Sequence, residues 1–175
     1  LLADGFAPGG KAPGTGTAIS PVAEADTSYG FRGLTVDRQK PGTVMATAYS
    51  SWWPDTQIFR STNSGGAWTK AWDYTSYPNR ADRFTMDVSS SPWLTWGANP
   101  SPPEQAPKLG WMTEALEIDP FNSSRMMYGT GATIYGTENL ADWDSGGRFT
   151  VRPMVRGLEE TAVNDLASPP SGAPL

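Results

Sequence analysis

The chain has 175 residues, a net charge of −5, 8 Trp, 19 Gly and 16 Pro, and neither His nor Cys. Without His and Cys a Ser-His-Asp triad, a cysteine nucleophile and the usual zinc ligand sets are excluded, so acid–base chemistry would rest on carboxylates. The acidic balance argues against a nucleic-acid surface, and no run of 18 apolar residues marks a membrane span. No cofactor and no metal site is expected.

In chain order, residues 1–28 carry few order-forming signals and are read as a loop or a poorly defined blade end, and 29–175 as the folded segment. Gly33-Leu-Thr-Val-Asp37 alternates like a strand and breaks at Lys40-Pro-Gly42. Thr43 to Tyr49 forms a second strand and Gln57 to Arg60 a third. A fourth, Thr69 to Tyr74, follows the turn Ser61-Thr-Asn-Ser-Gly-Gly-Ala-Trp68. A second copy starts at Ala115-Leu-Glu-Ile-Asp-Pro120 and continues through Met126-Met-Tyr-Gly129 and Thr133-Ile-Tyr-Gly136. It then reaches a degraded turn, Thr137-Glu-Asn-Leu-Ala-Asp-Trp143. A third start is read at Thr161 to Leu166. Between the copies, 89–108 is a long proline-rich loop with Trp93 and Trp96 and no regular period, read either as a cleft-lining loop or as a disordered one.

The turn at Ser61 has the spacing of an Asp-box, with Asn63 in the Asp place. Ser61 and Asn63 are placed to bond back onto local amides, and Gly65 or Gly66 to take a positive φ. Trp68 and Trp143 are expected in the blade core. Repeated strand–turn–strand units that bury their faces only against neighbours point to an all-β, partial β-propeller with Asp-box turns. Its two blades fall at about 30–75 and 112–150. Asp37 and Asp119, recurring at strand ends, are read as turn formers. Trp111 opens a blade strand and is read as core, with a position at the cleft edge as the alternative, and Glu159-Glu160 are given structural or surface roles, since successive strand residues face opposite sides.

The segments Tyr29-Gly-Phe-Arg-Gly-Leu-Thr-Val-Asp37, Ser51-Trp-Trp-Pro-Asp55, Ile58-Phe-Arg-Ser-Thr-Asn-Ser-Gly65, Gly110-Trp-Met-Thr-Glu-Ala-Leu-Glu-Ile-Asp-Pro-Phe121, Tyr128-Gly-Thr-Gly-Ala-Thr-Ile-Tyr-Gly136 and Gly157-Leu-Glu-Glu-Thr-Ala-Val163 occur in one order. In this order they resemble glycoside hydrolase family 74, xyloglucan-cleaving enzymes of two seven-bladed propellers. The resemblance implies a secreted, extracellular endo-β-1,4-glucanase that hydrolyses xyloglucan with inversion, using two Asp residues on different propellers. Their motifs, Thr-Asp-x-Gly-Gly and Gly-Asp-x-Gly-Gly, do not occur in the chain, so no catalytic residue is assigned. The chain is read as an interior fragment of the N-terminal propeller that supplies cleft and substrate-binding surface. Its partners are then the polysaccharide, the remainder of its own propeller and the second propeller.

Trp52 and Trp53 match the family's paired tryptophans and are the substrate-binding candidates: a flat indole stacks on the C–H face of a pyranose ring. The alternative is a non-catalytic Asp-box propeller of sortilin-like or assembly-factor type that binds protein. A Gly-Asp-x-Gly-Gly segment just beyond Leu175 discriminates the two.

Overall fold

A computed structural model describes residues 31–48, 55–76, 79–97 and 107–158, the side chains of 74–80 and 95–97 excepted. Trp52, Trp53, Glu159, Glu160 and the start at Thr161 lie outside the described residues. The described chain is built of strands, with short 3₁₀ turns at Pro92–Gly97 and Leu140–Trp143.

The first sheet is an antiparallel meander of β1 (Phe31–Val36), β2 (Val44–Ala48), β3 (Gln57–Ser61) and β4 (Thr69–Lys70). The second sheet repeats it with β8 (Ala115–Ile118), β9 (Met126–Gly129), β10 (Ile134–Thr137) and β11 (Phe149–Pro153). Each meander is one propeller blade, and the repetition extends to individual hydrogen bonds. In the first blade, Asp37 donates its N–H to Thr43 O and Ser64 donates its N–H to Gly42 O. In the second, Asp119 donates to Arg125 O and Leu140 to Ser124 O. Asp37 Oδ1 accepts from the amides of Gln39 and Lys40, and Asp119 Oδ1 from that of Phe121. Both carboxylates therefore close turns.

The Asp-box turn folds as its residue types dictate. Ser61 Oγ accepts from the Gly65 amide at 2.9 Å and donates to Asn63 Oδ1 at 3.0 Å. Asn63 Oδ1 also accepts from the Ala67 amide at 2.7 Å. Only an acceptor oxygen is needed there, so Asn serves in the Asp place. Gly65 adopts φ +83°, and Ser64 beside it takes φ +59°, a conformation that polar turn residues reach at modest cost. The degraded turn keeps the same hydroxyl–amide pair: Thr137 Oγ1 donates to Asn139 Oδ1 at 2.8 Å, and Asn139 Oδ1 accepts from the Thr150 amide. Its remainder is the 3₁₀ turn that delivers Trp143 into the core, stacked on Phe149 at 5.1 Å with planes 4° apart. Trp68 is half-buried, packed beside Ala46, Ala48 and Phe59.

The fourth strand departs from the sequence reading. Thr69 to Tyr74 is not one strand: β4 stops at Lys70, and β5 (Trp72–Ser76) pairs instead with β6 (Asn79–Asp82). Ala71 N–H still bonds Ile58 O at 2.9 Å, and Gln57 engages the chain beside it: its Oε1 accepts from the Ala71 and Trp72 amides and its Nε2 donates to Trp72 O. Trp72 turns inward, fully buried, with its indole N–H on Thr56 O at 2.8 Å.

The chain then crosses to the second blade. There β7 (Phe84–Met86) adds in parallel to the outer edge of β11, with Phe84 paired to Phe149. A single apolar core fills the space between the blades, Met45, Ile58 and Trp72 meeting Leu116, Ile118, Tyr128, Tyr135 and Trp143. Burial of this kind contributes about 25 cal/mol per Å² of apolar area. Polar ties reinforce it: Ile118 N–H bonds Thr35 Oγ1, Ser123 Oγ bonds Asp37 Oδ1, and Arg60 forks onto Asp144 at 2.7 and 2.8 Å. Arg60 is 1% exposed, so this pair is a buried cation held by one carboxylate.

Candidate functional site

The strand order divides the loops between two ends of the blades. The β1–β2 and β3–β4 turns share one end, joined by the bond from Ser64 to Gly42, and the β8–β9 and β10–β11 turns match them. This end is occupied by turn chemistry. The opposite end receives the β2–β3 connection, the β9–β10 turn, the long connection from β7 to β8, and the segment after β11. The β2–β3 connection enters this end at Asp55, directly after Trp52-Trp53-Pro54.

Asp55 is 2% exposed. It accepts from backbone amides: Leu109 at 2.7 Å on Oδ2, and Gly110 at 2.8 Å and Thr56 at 3.0 Å on Oδ1. Thr56 N–H returns a bond to Gly110 O. Tyr128 OH donates to Leu109 O at 3.0 Å, and burial raises the Tyr128 phenol well above its ordinary pKa, which keeps it a donor at neutral pH. The corner so fixed is unusual in backbone: Gly110 has φ +127° and Met112 φ +53°. Non-glycine residues at positive φ are uncommon and persist where the surroundings hold them.

Trp111 sits in this corner. It is half-buried and lies outside the core cluster, against the favoured core reading and in keeping with the alternative at a cleft edge. Its carbonyl accepts from Gly131 N–H at 2.9 Å, and its indole Nε1 lies 2.8 Å from where a Cβ on Gly131 would stand. The β9–β10 turn, Thr130 to Thr133, thus rests directly on the indole. Thr130 Oγ1 closes that turn by donating to Thr133 O and accepting from the Ala132 and Thr133 amides.

The turn forms one wall of an open groove of about 1350 Å³. Across it stand Ser90, Ser91 and Trp93, and along it the segment from Pro153 to Leu158. The proline-rich loop therefore lines a groove at its start. Its 3₁₀ turn buries Leu94 and leaves Trp93 66% exposed. Among the groove's described lining residues Arg156 is the one charge, and there is no carboxylate. Among all described residues, no three Asp or Glu side chains gather as a metal site.

Of the two readings of the proline-rich loop, its described start fits the cleft-lining one, although the irregular period gave no way to single out Trp93. Asp55 was legible only as part of a family segment. Trp52 and Trp53 lie outside the described residues, immediately before the fixed point at Asp55.

Two adjacent four-stranded meanders with Asp-box turns at one end, sharing a core, define a piece of a β-propeller. No family model matches the chain. It is 55% identical over 164 residues to a protein of a Paenibacillus species named xyloglucanase, spanning 93% of this chain and 16% of that protein. It is 52% identical to "Xyloglucanase Xgh74A" of Acetivibrio thermocellus, over 89% of this chain and 18% of that protein. The crystal structure of the GH74 xyloglucanase from Xanthomonas campestris matches with a TM-score of 0.58 at 28% identity, covering 82% of this chain and 18% of that one. The resemblance to glycoside hydrolase family 74 is thereby shown. The chain spans between about a sixth and a fifth of the length of these relatives and corresponds to one segment of them.

Proposed function

We propose that this chain is part of a xyloglucan-hydrolysing endo-β-1,4-glucanase that acts outside the cell with inversion, and that it contributes cleft and substrate-binding surface. The observation that carries the reading is the identity of 52–55% to proteins named xyloglucanase over about nine tenths of the chain. The groove supports it chemically. A nearly uncharged channel with an exposed indole and hydroxyl-bearing walls suits a neutral, polyhydroxylated chain, whose C–H faces stack on aromatics while its hydroxyls stay hydrated.

Inverting hydrolysis needs a carboxylic acid at the leaving oxygen and a carboxylate that activates water, roughly 6.5–9.5 Å apart. Neither stands among the groove's described lining residues, and the two family Asp motifs do not occur in the chain, so in this reading both are supplied from outside it. One comes from the remainder of this propeller and the other from a second propeller across the cleft. The work left to this chain is to hold the glucan backbone and keep it in register, so that binding energy gathered along the polymer is available where the bond breaks.

Trp52 and Trp53 are proposed as stacking residues of that surface. Stacking on an indole is worth on the order of 1 kcal/mol for each ring, at the low end of the range for nucleobases. Replacing both by Ala in the full-length protein should weaken binding of long xyloglucan about tenfold or more. Turnover of short oligosaccharides should change little, and processive product patterns should decline. Steady-state kinetics on polymer and oligomer make the comparison. Equal loss on both substrates, or an unfolded variant, would remove the stacking role.

A further inference from the structure

Building on the reading of this end as polysaccharide-binding surface, we propose that Trp93 is a sugar-stacking residue, a rigid platform in the groove it shares with the β9–β10 turn that holds one pyranose ring of the bound glucan.

The segment that carries Trp93 is irregular but tightly fastened. Asp87 ties its near end to the second blade, with its N–H on Val151 O at 2.9 Å and its Oδ2 accepting from Arg152 Nε at 3.2 Å. Asp87 Oδ1 accepts from the Ser89 hydroxyl at 2.7 Å and from the Ser89 amide at 3.2 Å, which turns the chain. Two further turns follow, closed by Ser91 N–H on Val88 O and Leu94 N–H on Ser91 O, each at 2.9 Å. Ser91 is buried, and Leu94 is buried in the core shared by the two blades. Pro92, with its fixed φ, removes further freedom from the backbone between them. Trp93 is thus held on both sides while its own side chain is 66% exposed.

A single exposed apolar residue is ordinary on a protein surface. Trp93 differs in where it stands and on what. It lines a concavity of about 1350 Å³ rather than a convex patch, and concave sites with a few placed polar groups are where ligands bind. Its scaffold is ordered before any ligand arrives, and an indole has only two side-chain torsions to fix, so little entropy is lost on stacking. The groove's other groups match a neutral polyol. Ser90, Ser91 and Thr130 bring hydroxyl-bearing side chains to the lining. Arg156 is presented by the turn from Val155 to Leu158, which is closed by Leu158 N–H on Val155 O at 2.9 Å with Gly157 at φ +85°. A guanidinium offers five donors and no acceptor, a fit for sugar hydroxyls. One cation without a second beside it among the described lining residues is too little charge to select a polyanionic chain.

In the full-length protein, Trp93→Ala should raise the KM for xyloglucan polymer about fivefold, equivalent to ~1 kcal/mol, with the loss in KM rather than kcat. Trp93→Tyr keeps a flat ring and should restore most of the affinity. Trp93→Leu keeps apolar bulk without a face and should behave like Trp93→Ala. Thermal midpoints should stay near wild type, because the ring is mostly exposed. Unchanged KM in Trp93→Ala, wild-type KM in Trp93→Leu, or a Trp93→Tyr as impaired as Trp93→Ala overturns the stacking role. A lowered thermal midpoint with KM unchanged overturns it too, and is the result expected if the chain beyond Leu158 covers the ring in the whole protein. Hydroxyl-radical footprinting of the wild-type protein keeps the test open should the variants not fold. Trp93 should oxidise readily in the free protein and several-fold less with xyloglucan bound. Equal oxidation in both, or protection before xyloglucan is added, overturns the role. If the wild-type protein neither binds nor cleaves xyloglucan, the functional reading fails first and this proposal falls with it, an outcome distinct from the others.

Discussion

Replacing Asp144 by Ala in the full-length protein is expected to destabilise this pair of blades by about 3 kcal/mol, the low end of the range for breaking a buried ion pair. Arg60 lies 1% exposed on the central strand β3, while the Asp144 side chain is 27% exposed and receives both Nε and Nη2 of the guanidinium. Removing the carboxylate leaves a 1% exposed guanidinium without its paired acceptor. The partial exposure of Asp144 keeps the estimate from going higher. Removing both charges, by Arg60→Met with Asp144→Ala, should cost less than the single change, because no unpaired charge is left behind.

The same pair sets a pH dependence. Asp144 is held below the ordinary carboxylate range, first by the Arg60 hydrogen bond and then by the Arg60 and Lys40 charges, against the opposing effect of burial. A depressed folded-state pKa means stability that is fully present above the unfolded value, near pH 4, and is lost as pH falls through the folded value. Wild-type urea midpoints should therefore decline below about pH 4 more steeply than those of the double variant. Parallel curves, or a single variant as stable as wild type, would show that the pair is not the interblade tie described.

The second large effect concerns activity. The 175-residue chain by itself should release no reducing sugar from xyloglucan under conditions in which the full-length protein is active. General acid and general base each contribute on the order of 10²–10⁴ in rate, and their joint loss leaves nothing that a reducing-end assay detects. Measurable hydrolysis by the purified chain would place an acid–base pair within these residues and contradict the division of labour proposed here.

Local chemistry was legible in the sequence and long-range chemistry was not. The Asp-box turn could be read because Ser61, Asn63 and Gly65 bond to one another within five positions, and Asp37 and Asp119 act on amides two residues on. The all-β class followed from alternation and turn spacing. The break after Lys70 was hidden because the side chain that holds the Ala71 and Trp72 amides, Gln57, lies 14 and 15 positions away. Arg60 and Asp144 are 84 positions apart, and an Arg inside an alternating strand carries no mark of its partner. The parallel addition of β7 to β11 is equally silent, since β7 is three residues long and draws its stability from an edge built 65 residues later.

The groove was half legible. Aromatic residues within a proline-rich loop signal a surface, yet only the fold shows that Trp93 stands across from the turn resting on Trp111. Trp111 itself read as core because it opens a strand-like segment. It lies half-exposed because the strained corner turns it away before β8 begins at Ala115. Asp55 looked like the end of a family word and is instead the point where two distant loops are fastened together.

The central claim is that this chain forms part of an inverting xyloglucan hydrolase, and the stereochemistry of cleavage by the full-length protein tests it most directly. Proton NMR recorded in the first minutes of xyloglucan digestion distinguishes the anomers before they equilibrate. The account predicts that the new reducing ends appear first as the α-anomer and only later relax toward the mixture. First appearance of the β-anomer, or no cleavage of the polymer at all, would contradict it.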